Sequence, residues 1–198
     1  MPAPPILRGV FQDLQTNWGP EDDGYLFDKG PSPVDRLDVV VYRPTDAIEM
    51  TSFATVGMAI EEMPAPSGKT RGLRAELRFA RRGAVDKEQE HAIARQLANV
   101  AIYPWLTGGG LDWGHMIRLD DDFPTFPGCR AVFLSGPFLP DGQDCVRIGD
   151  DVVRIVNVVP ITEAERERAG TMRSGDFLYD LLDSTDIFSA RTDSGARE

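Results

Sequence analysis

Two histidines, two cysteines and a run of three aspartates are the side chains whose types could do chemistry, and their spacing limits which chemistry that is. His91 and His115 are too few for a three-histidine zinc site, and no HExxH helix is present. Cys129 and Cys145 form no CxxC pair and join no histidine cluster; such low usage fits a reducing compartment better than a disulfide. Asp120-Asp121-Asp122 is the candidate cation ligand, but adjacent carboxylates on a short loop rarely converge on one ion, so it reads as a solvated turn. Ser67-Gly68-Lys69-Thr70 resembles the end of a phosphate-binding loop. Met63 stands where that loop needs its first glycine, however, and Pro64 and Pro66 remove backbone donors. Gly108-Gly109-Gly110 matches no dinucleotide fingerprint and reads as a helix stop, and no GxSxG elbow supports a hydrolase. The expected cofactor set is therefore none.

His115 is the more informative histidine, because it closes the segment Leu111-Asp112-Trp113-Gly114-His115 directly after the glycines. It reads as a buried ring donating a hydrogen bond to a carbonyl, or as a contact for a partner. A catalytic role defines the enzymatic alternative: a hydrolase-type acid or base at His115, supported by Asp112 or by Asp120 to Asp122. The nucleophile that such a site needs cannot be placed. Trp105 and Trp113 bracket the glycines and put large rings on an adjustable backbone, so Trp105 to His115 is the candidate partner-binding loop. The competing expectation is that both tryptophans close the core over the end of a helix. Arg74 and Arg78, in a stripe with Glu76, Arg81 and Arg82, are the one local basic feature. They form either a solvated sheet face or a ridge whose guanidinium forks recognise carboxylates. His91, among Glu88, Gln89 and Glu90, is expected at the surface.

These residues need a scaffold, and composition supplies one. With 198 residues, 41% hydrophobic and 27% charged, the chain can build a sizeable core, and a single domain over residues 1–198 is expected. The 21 basic and 32 acidic residues give a formal charge of −11. That charge disfavours nucleic acid and anionic lipid as partners and favours solubility and capture of a basic protein. Neither a signal peptide nor a run of about 18 apolar residues is found, so a cytoplasmic location is expected and no membrane.

Ile6, Val10, Leu14 and Trp18 recur every four residues and predict a helix over 6–18. Glu21 to Asp28 reads as an acidic loop. Strands follow at Arg36 to Pro44 and Met50 to Met58, paired as a hairpin, with an exposed loop from Met63 to Gly68. Leu73, Ala75, Leu77 and Phe79 alternate with Arg74, Glu76 and Arg78, which predicts a strand with one core face and one wet face. The long helix is expected over Val85 to Trp105, with Ile93, Leu97, Val100, Ala101 and Pro104 inward and Lys87, Glu88, Glu90 and Arg95 outward. Further strands are expected at Trp113 to Leu119, Ala131 to Phe138, Val146 to Ile148 and Val152 to Pro160, the last two joined by a turn at Gly149-Asp150. Thr162-Glu163-Ala164-Glu165 is a capping box opening a short helix to Gly170. Ser174 and Asp176 are read as the cap of a last helix that buries Phe177, Leu178, Leu181 and Leu182, and a frayed tail is expected beyond Phe188. Hairpins interrupted by helices, without regular βαβ alternation, predict an α+β fold: a mostly antiparallel central sheet with helices packed on it.

Five pieces, in order over about residues 34–183, resemble the suppressor of fused family. They are Leu37-Asp38-Val39-Val40-Val41-Tyr42-Arg43-Pro44; Thr55-Val56-Gly57-Met58 leading to Met63-Pro64; Arg74-Ala75-Glu76-Leu77; Trp113-Gly114-His115; and Val158-Val159-Pro160-Ile161-Thr162-Glu163-Ala164-Glu165 followed by the Leu181-Leu182 helix. The resemblance implies the fold of that family's N-terminal domain and a non-enzymatic, protein-binding function. Animal members clamp a short peptide of a transcription factor between strands of two domains, and this chain has no room for the second. It is similar instead to the compact bacterial form, whose members are regarded mainly as immunity proteins that neutralise the toxin of a contact-dependent system. A basic toxin domain, such as a nuclease, is the partner an acidic chain would suit. A structural adaptor without inhibitory role is the third reading. Partner identity, toxin chemistry and oligomeric state stay open.

Overall fold

Strands buried on both faces read as near-continuous apolar runs, whereas strands with a wet face alternate. Leu37 to Val41 is of the first kind, and both of its faces are covered. The computed structural model of the chain describes residues 3–28 and 30–191. In chain order it contains α1 (Pro5–Trp18), β1 (Asp23–Asp28), β2 (Arg36–Tyr42), β3 (Met50–Val56), a 3-10 turn (Met58–Ile60), β4 (Arg74–Arg82), α2 (Lys87–Thr107), β5 (Met116–Arg118), β6 (Ala131–Ser135), β7 (Cys145–Ile148), β8 (Asp151–Ile161), α3 (Glu163–Ala169) and α4 (Ser174–Ser184). Eight strands form one sheet in the order β1-β2-β3-β4-β8-β6-β5, with β7 on the edge of β8 that β6 takes further along. The β4–β8 pair is parallel and all other pairs are antiparallel. This is the α+β architecture expected from the sequence.

Helix α2 lays Ile93, Leu97, Val100 and Ala101 on one face of the sheet, against Val39, Phe53, Leu77, Val156 and Leu134. On the other face α1 packs Val10 and Leu14 against Val40, Ala54, Val56 and Ile155. That same face carries α3 and α4 further along, where Phe177 and Leu181 meet Phe133, Val159 and Ile161. Leu77, Leu97, Val100, Val158 and Leu181 are all buried, as their periodicity predicts.

Several local expectations are corrected. The acidic stretch from Glu21 is not all loop, because Asp23–Asp28 pairs with β2 and sends Tyr25 and Phe27 against the α2 side of the core. Acidic composition masked that alternation. The second face of β4 is not wet, since α1 covers it and Glu76 is only 2% exposed. Glu90 also turns inward, at 1% exposure, where Arg43 meets its carboxylate at 2.7 and 2.9 Å and Tyr25 donates to it at 3.1 Å. The pair with Arg43 holds the Glu90 carboxyl below its ordinary value. Helix α2 starts at an Asp86/Gln89 capping box, and Gly108 closes it in the left-handed conformation. Strand β5 begins only at Met116, so Trp113 lies outside it. Helix α4 has Arg173 at its N-cap with no side-chain cap bond, so Ser174 and Asp176 lie within its first turn instead. Arg191 is anchored to Glu165 at 2.8 Å and to the Pro160 carbonyl; the rest of the tail expected to fray, residues 192–198, lies outside the described residues.

Candidate functional site

Strand β8 takes partners on one edge from two strands in turn. β7 pairs with residues 151–154 and β6 with residues 157–161, which leaves a gap at Ile155. Trp113 fills that gap: its Nε1 donates to the Ile155 carbonyl at 2.9 Å. The Arg154 guanidinium lies 4.4 Å from the centre of the Trp113 ring and pairs with Asp112 at 3.2 Å. Gly136 lies flat against the same ring, where a Cβ would come within 2.9 Å of it. Trp113 is thus a wall residue, half-buried and positioned by three elements.

Next to it lies a hollow of about 250 Å³, lined among others by Trp113, Phe133, Phe138, Leu139, Leu178 and Tyr179. Leu139 and Tyr179, 67% and 68% exposed, stand at its rim. The Pro137-Phe138-Leu139 turn separates it from a larger hollow of about 340 Å³, bounded by Trp18 at the end of α1 and by Ile187 and Phe188. The larger hollow exists because α1 and the α3–α4 pair cover different parts of one sheet face. Between them the floor is made of Ser52, Ala80 and Asn157.

The residues singled out from sequence do not all converge. Trp105 is half-buried on α2 and packs against the main core. His115 is exposed, and its Nδ1 accepts the Asp112 backbone N–H at 3.3 Å. The Asp112 carboxylate faces the Trp113 N–H and Arg154 instead, so the structure builds no carboxylate–imidazole pair there. Asp122 caps Gly128 at 2.9 Å, and among the described residues no group of three potential ligands could hold a metal ion. Arg74 reaches the Ala59 and Ile60 carbonyls at 2.9 and 2.6 Å and Asp151 at 3.3 Å. Arg78 lines the larger hollow: it stacks on Trp18 at 4.8 Å and donates to Gln143 at 2.7 Å, and burial lowers its pKa. Sequence reading missed Phe138, Leu139 and Tyr179. The signal was present in Pro137-Phe138-Leu139-Pro140, an apolar pair bracketed by prolines where a turn should be polar.

The suppressor of fused protein family model matches residues 33–191, most of the chain. The chain belongs to that family. A search of the curated proteins finds no match. Among solved structures, a suppressor of fused homolog from Neisseria gonorrhoeae is 16% identical, with a TM-score of 0.70 over 98% of each chain. A chain of the Sufu-Fu complex crystal structure is also 16% identical, with a TM-score of 0.66 over 98% of this chain and 93% of that one. Drosophila Suppressor of Fused is 15% identical, with a TM-score of 0.67 over 94% of this chain and 50% of its own, so this chain spans about half its length. At such identities the likeness establishes the family fold and carries no site residues across. Among the described residues no helix is long and apolar enough to cross a membrane.

Proposed function

We propose that this family member is a non-enzymatic protein-binding module, acting as one cytoplasmic domain, and that it serves as an immunity protein neutralising a toxin. The observation that carries the reading is the pair of apolar hollows flanking Pro137-Phe138-Leu139, with Leu139 and Tyr179 exposed at the rim. Large apolar side chains around a concave surface are the anchors that dominate interfaces. A solved relative in complex with Fu supports a protein as the partner class. The charge of −11 supports a basic partner, drawn in by a long-range field. In this reading the partner docks over the Pro137–Leu139 turn and reaches the Trp105 to His115 loop, while Arg74 and Arg78, engaged by Asp151 and by Asp13 and Gln143, stiffen the sheet beside it.

The test begins with the product of the adjacent reading frame, expressed with and without this chain. Wild type should restore growth. Leu139→Asp combined with Tyr179→Ser should melt like wild type, because both side chains are exposed, yet lose protection and at least ~1 kcal/mol of binding. Full protection by the double variant would refute the docking face. A neighbour without toxicity that still binds would refute the immunity role and leave the binding module standing.

A further inference from the structure

A third hollow, of about 540 Å³, lies against α1 at the β1–β2 end of the sheet. Gly24 and Leu26 of β1, Val40 of β2 and Val56 of β3 line it, and Phe11 of α1 forms a wall. Gly24 and Leu26 stand on the α1 side of β1, whereas Tyr25 and Phe27 turn to the α2 side. Leu26 is 51% exposed, and a Cβ added at Gly24 would meet nothing nearer than the Val39 carbonyl at 3.9 Å, so this stretch of strand is open.

β1 also ends the sheet. It pairs with β2 alone, so alternate backbone N–H and C=O groups along its outer side have no strand to meet. Such edges are ordinarily blunted by lysine, by proline or by shortness. β5, at the opposite edge, has three residues, whereas β1 has six and contains neither lysine nor proline. The charge beside it is one-sided. Asp23 is held by Arg43 and Lys87, and Asp38 by Arg36. Glu21 accepts only from the Gln15 amide and Asp22 from the Arg43 backbone N–H at 2.6 Å; with the exposed Asp28 they meet no cation among the described residues. The last turn of α1 ends in the same corner with no basic residue, and its dipole adds to the negative potential.

These features select an occupant. A second copy laid antiparallel about the centre of β1 would set Asp28 opposite Asp23 and join two chains of charge −11. A nucleic acid would bring phosphates onto carboxylates. An extended segment with a basic residue at every second position satisfies the edge with its backbone, meets Glu21 and Asp22 with its cationic heads, and covers Leu26, Val40 and Val56 with its aliphatic stems.

We propose that an extended basic segment of the protein partner adds to β1 as a further strand, laying arginine or lysine side chains over Gly24 into this hollow. The inference rests on the protein-binding reading above and deepens it by naming a second contact and the chemistry of the segment that makes it.

The probe is an acetylated, amidated hexapeptide alternating arginine with valine, titrated into the intact protein and followed by amide NMR. Saturable shifts should centre on Gly24, Leu26 and Asp28, and the same peptide with glutamate for arginine should not bind. Raising salt from about 20 to about 500 mM should weaken binding at least about five-fold. N-methylating one set of alternate peptide amides should abolish binding, while methylating the other set should leave it within about two-fold, because only one edge of the peptide faces β1. Leu26→Lys should melt like wild type and weaken the peptide at least about ten-fold. Should it fail to fold, Asp38→Asn, which frees Arg36 beside the hollow, should still weaken it at least about three-fold. Equal binding of both methylated peptides, binding of the glutamate peptide, or shifts centred elsewhere would overturn the assignment, as would a dimer in sedimentation that Leu26→Lys dissociates. Absent peptide binding together with intact docking over Leu139 and Tyr179 would sink this inference alone. Unchanged capture of the adjacent reading frame's product by folded Leu26→Lys would overturn that partner as the source of the strand.

Discussion

Trp113 tests whether the wall of the smaller hollow is architecture, and two substitutions divide its role. Trp113→Phe keeps a ring against Gly136 and Arg154 but removes the donor that satisfies the Ile155 carbonyl between β7 and β6. An unmet buried carbonyl costs ~1 to 3 kcal/mol, and partial water access to a half-buried site puts the expectation near ~1 kcal/mol. Trp113→Ala also removes the ring and its contact with Arg154, the latter worth ~0.5 to 1 kcal/mol. Complete loss of a core tryptophan costs ~3 to 5 kcal/mol, so a half-buried one that also fills a ladder gap should cost about 3 kcal/mol. Urea unfolding followed by far-UV circular dichroism measures both without relying on the fluorophore being removed, and an unchanged slope would confirm that only stability moved. A loss below ~1 kcal/mol for Trp113→Ala would refute the reasoning, because the ring would then be an exposed contact instead of a strut. Partner affinity of the folded Trp113→Phe variant reports the surface contribution separately.

Leu77 is fully buried on the face of β4 that α2 covers, so Leu77→Ala should cost ~2 to 5 kcal/mol in a single unfolding transition; two transitions would show that the chain is more than one domain. Glu76 is fully buried, and burial pushes its carboxyl up to about 7 even though the Thr55 hydroxyl and the Gly57 and Ala59 N–H groups donate to it at 2.6, 2.8 and 3.0 Å. A folded value raised above the ordinary 4.5 means that its contribution is complete below that pH and is lost as pH rises through about 7. The stability of wild type relative to Glu76→Gln should therefore fall by roughly 3 kcal/mol between those limits, and a flat difference would show that the three donors, not burial, govern the carboxyl.

Much of the scaffold was legible because it follows local periods. The 3.6-residue repeat of Ile93, Leu97, Val100 and Ala101 and the doubly apolar run of β2 each name an element and its buried faces. The differences share a cause: polar type does not imply exposure where distant donors meet the side chain. Glu76 and Glu90 are buried because donors far along the chain, on Thr55, Gly57 and Arg43, come to meet them, and no local window contains those donors. The acidic flank of β1 hid Tyr25 and Phe27 in the same way.

The hollows escape pattern reading for a deeper reason. An empty place on a sheet face is set by register between strands distant in sequence. Ser52, Ala80 and Asn157 are ordinary small or polar residues in three separate strands, and they become one floor only through the β3–β4 and β4–β8 pairings. The second pairing is parallel, and its crossover runs through α2, β5, β6 and β7 before β8 returns beside β4. No alternation rule spans such a distance. The walls follow the same logic: Trp18 closes α1, while Phe188 follows α4 and accepts the Arg82 N–H through its carbonyl at 2.7 Å, tying the chain's C-terminal segment to the end of β4. The proposed docking surface draws on α1, on the segment after α4 and on the parallel β4–β8 seam, and it forms only when these strands are in register, so partner binding and global folding should fail together in any variant that slips β4 against β8.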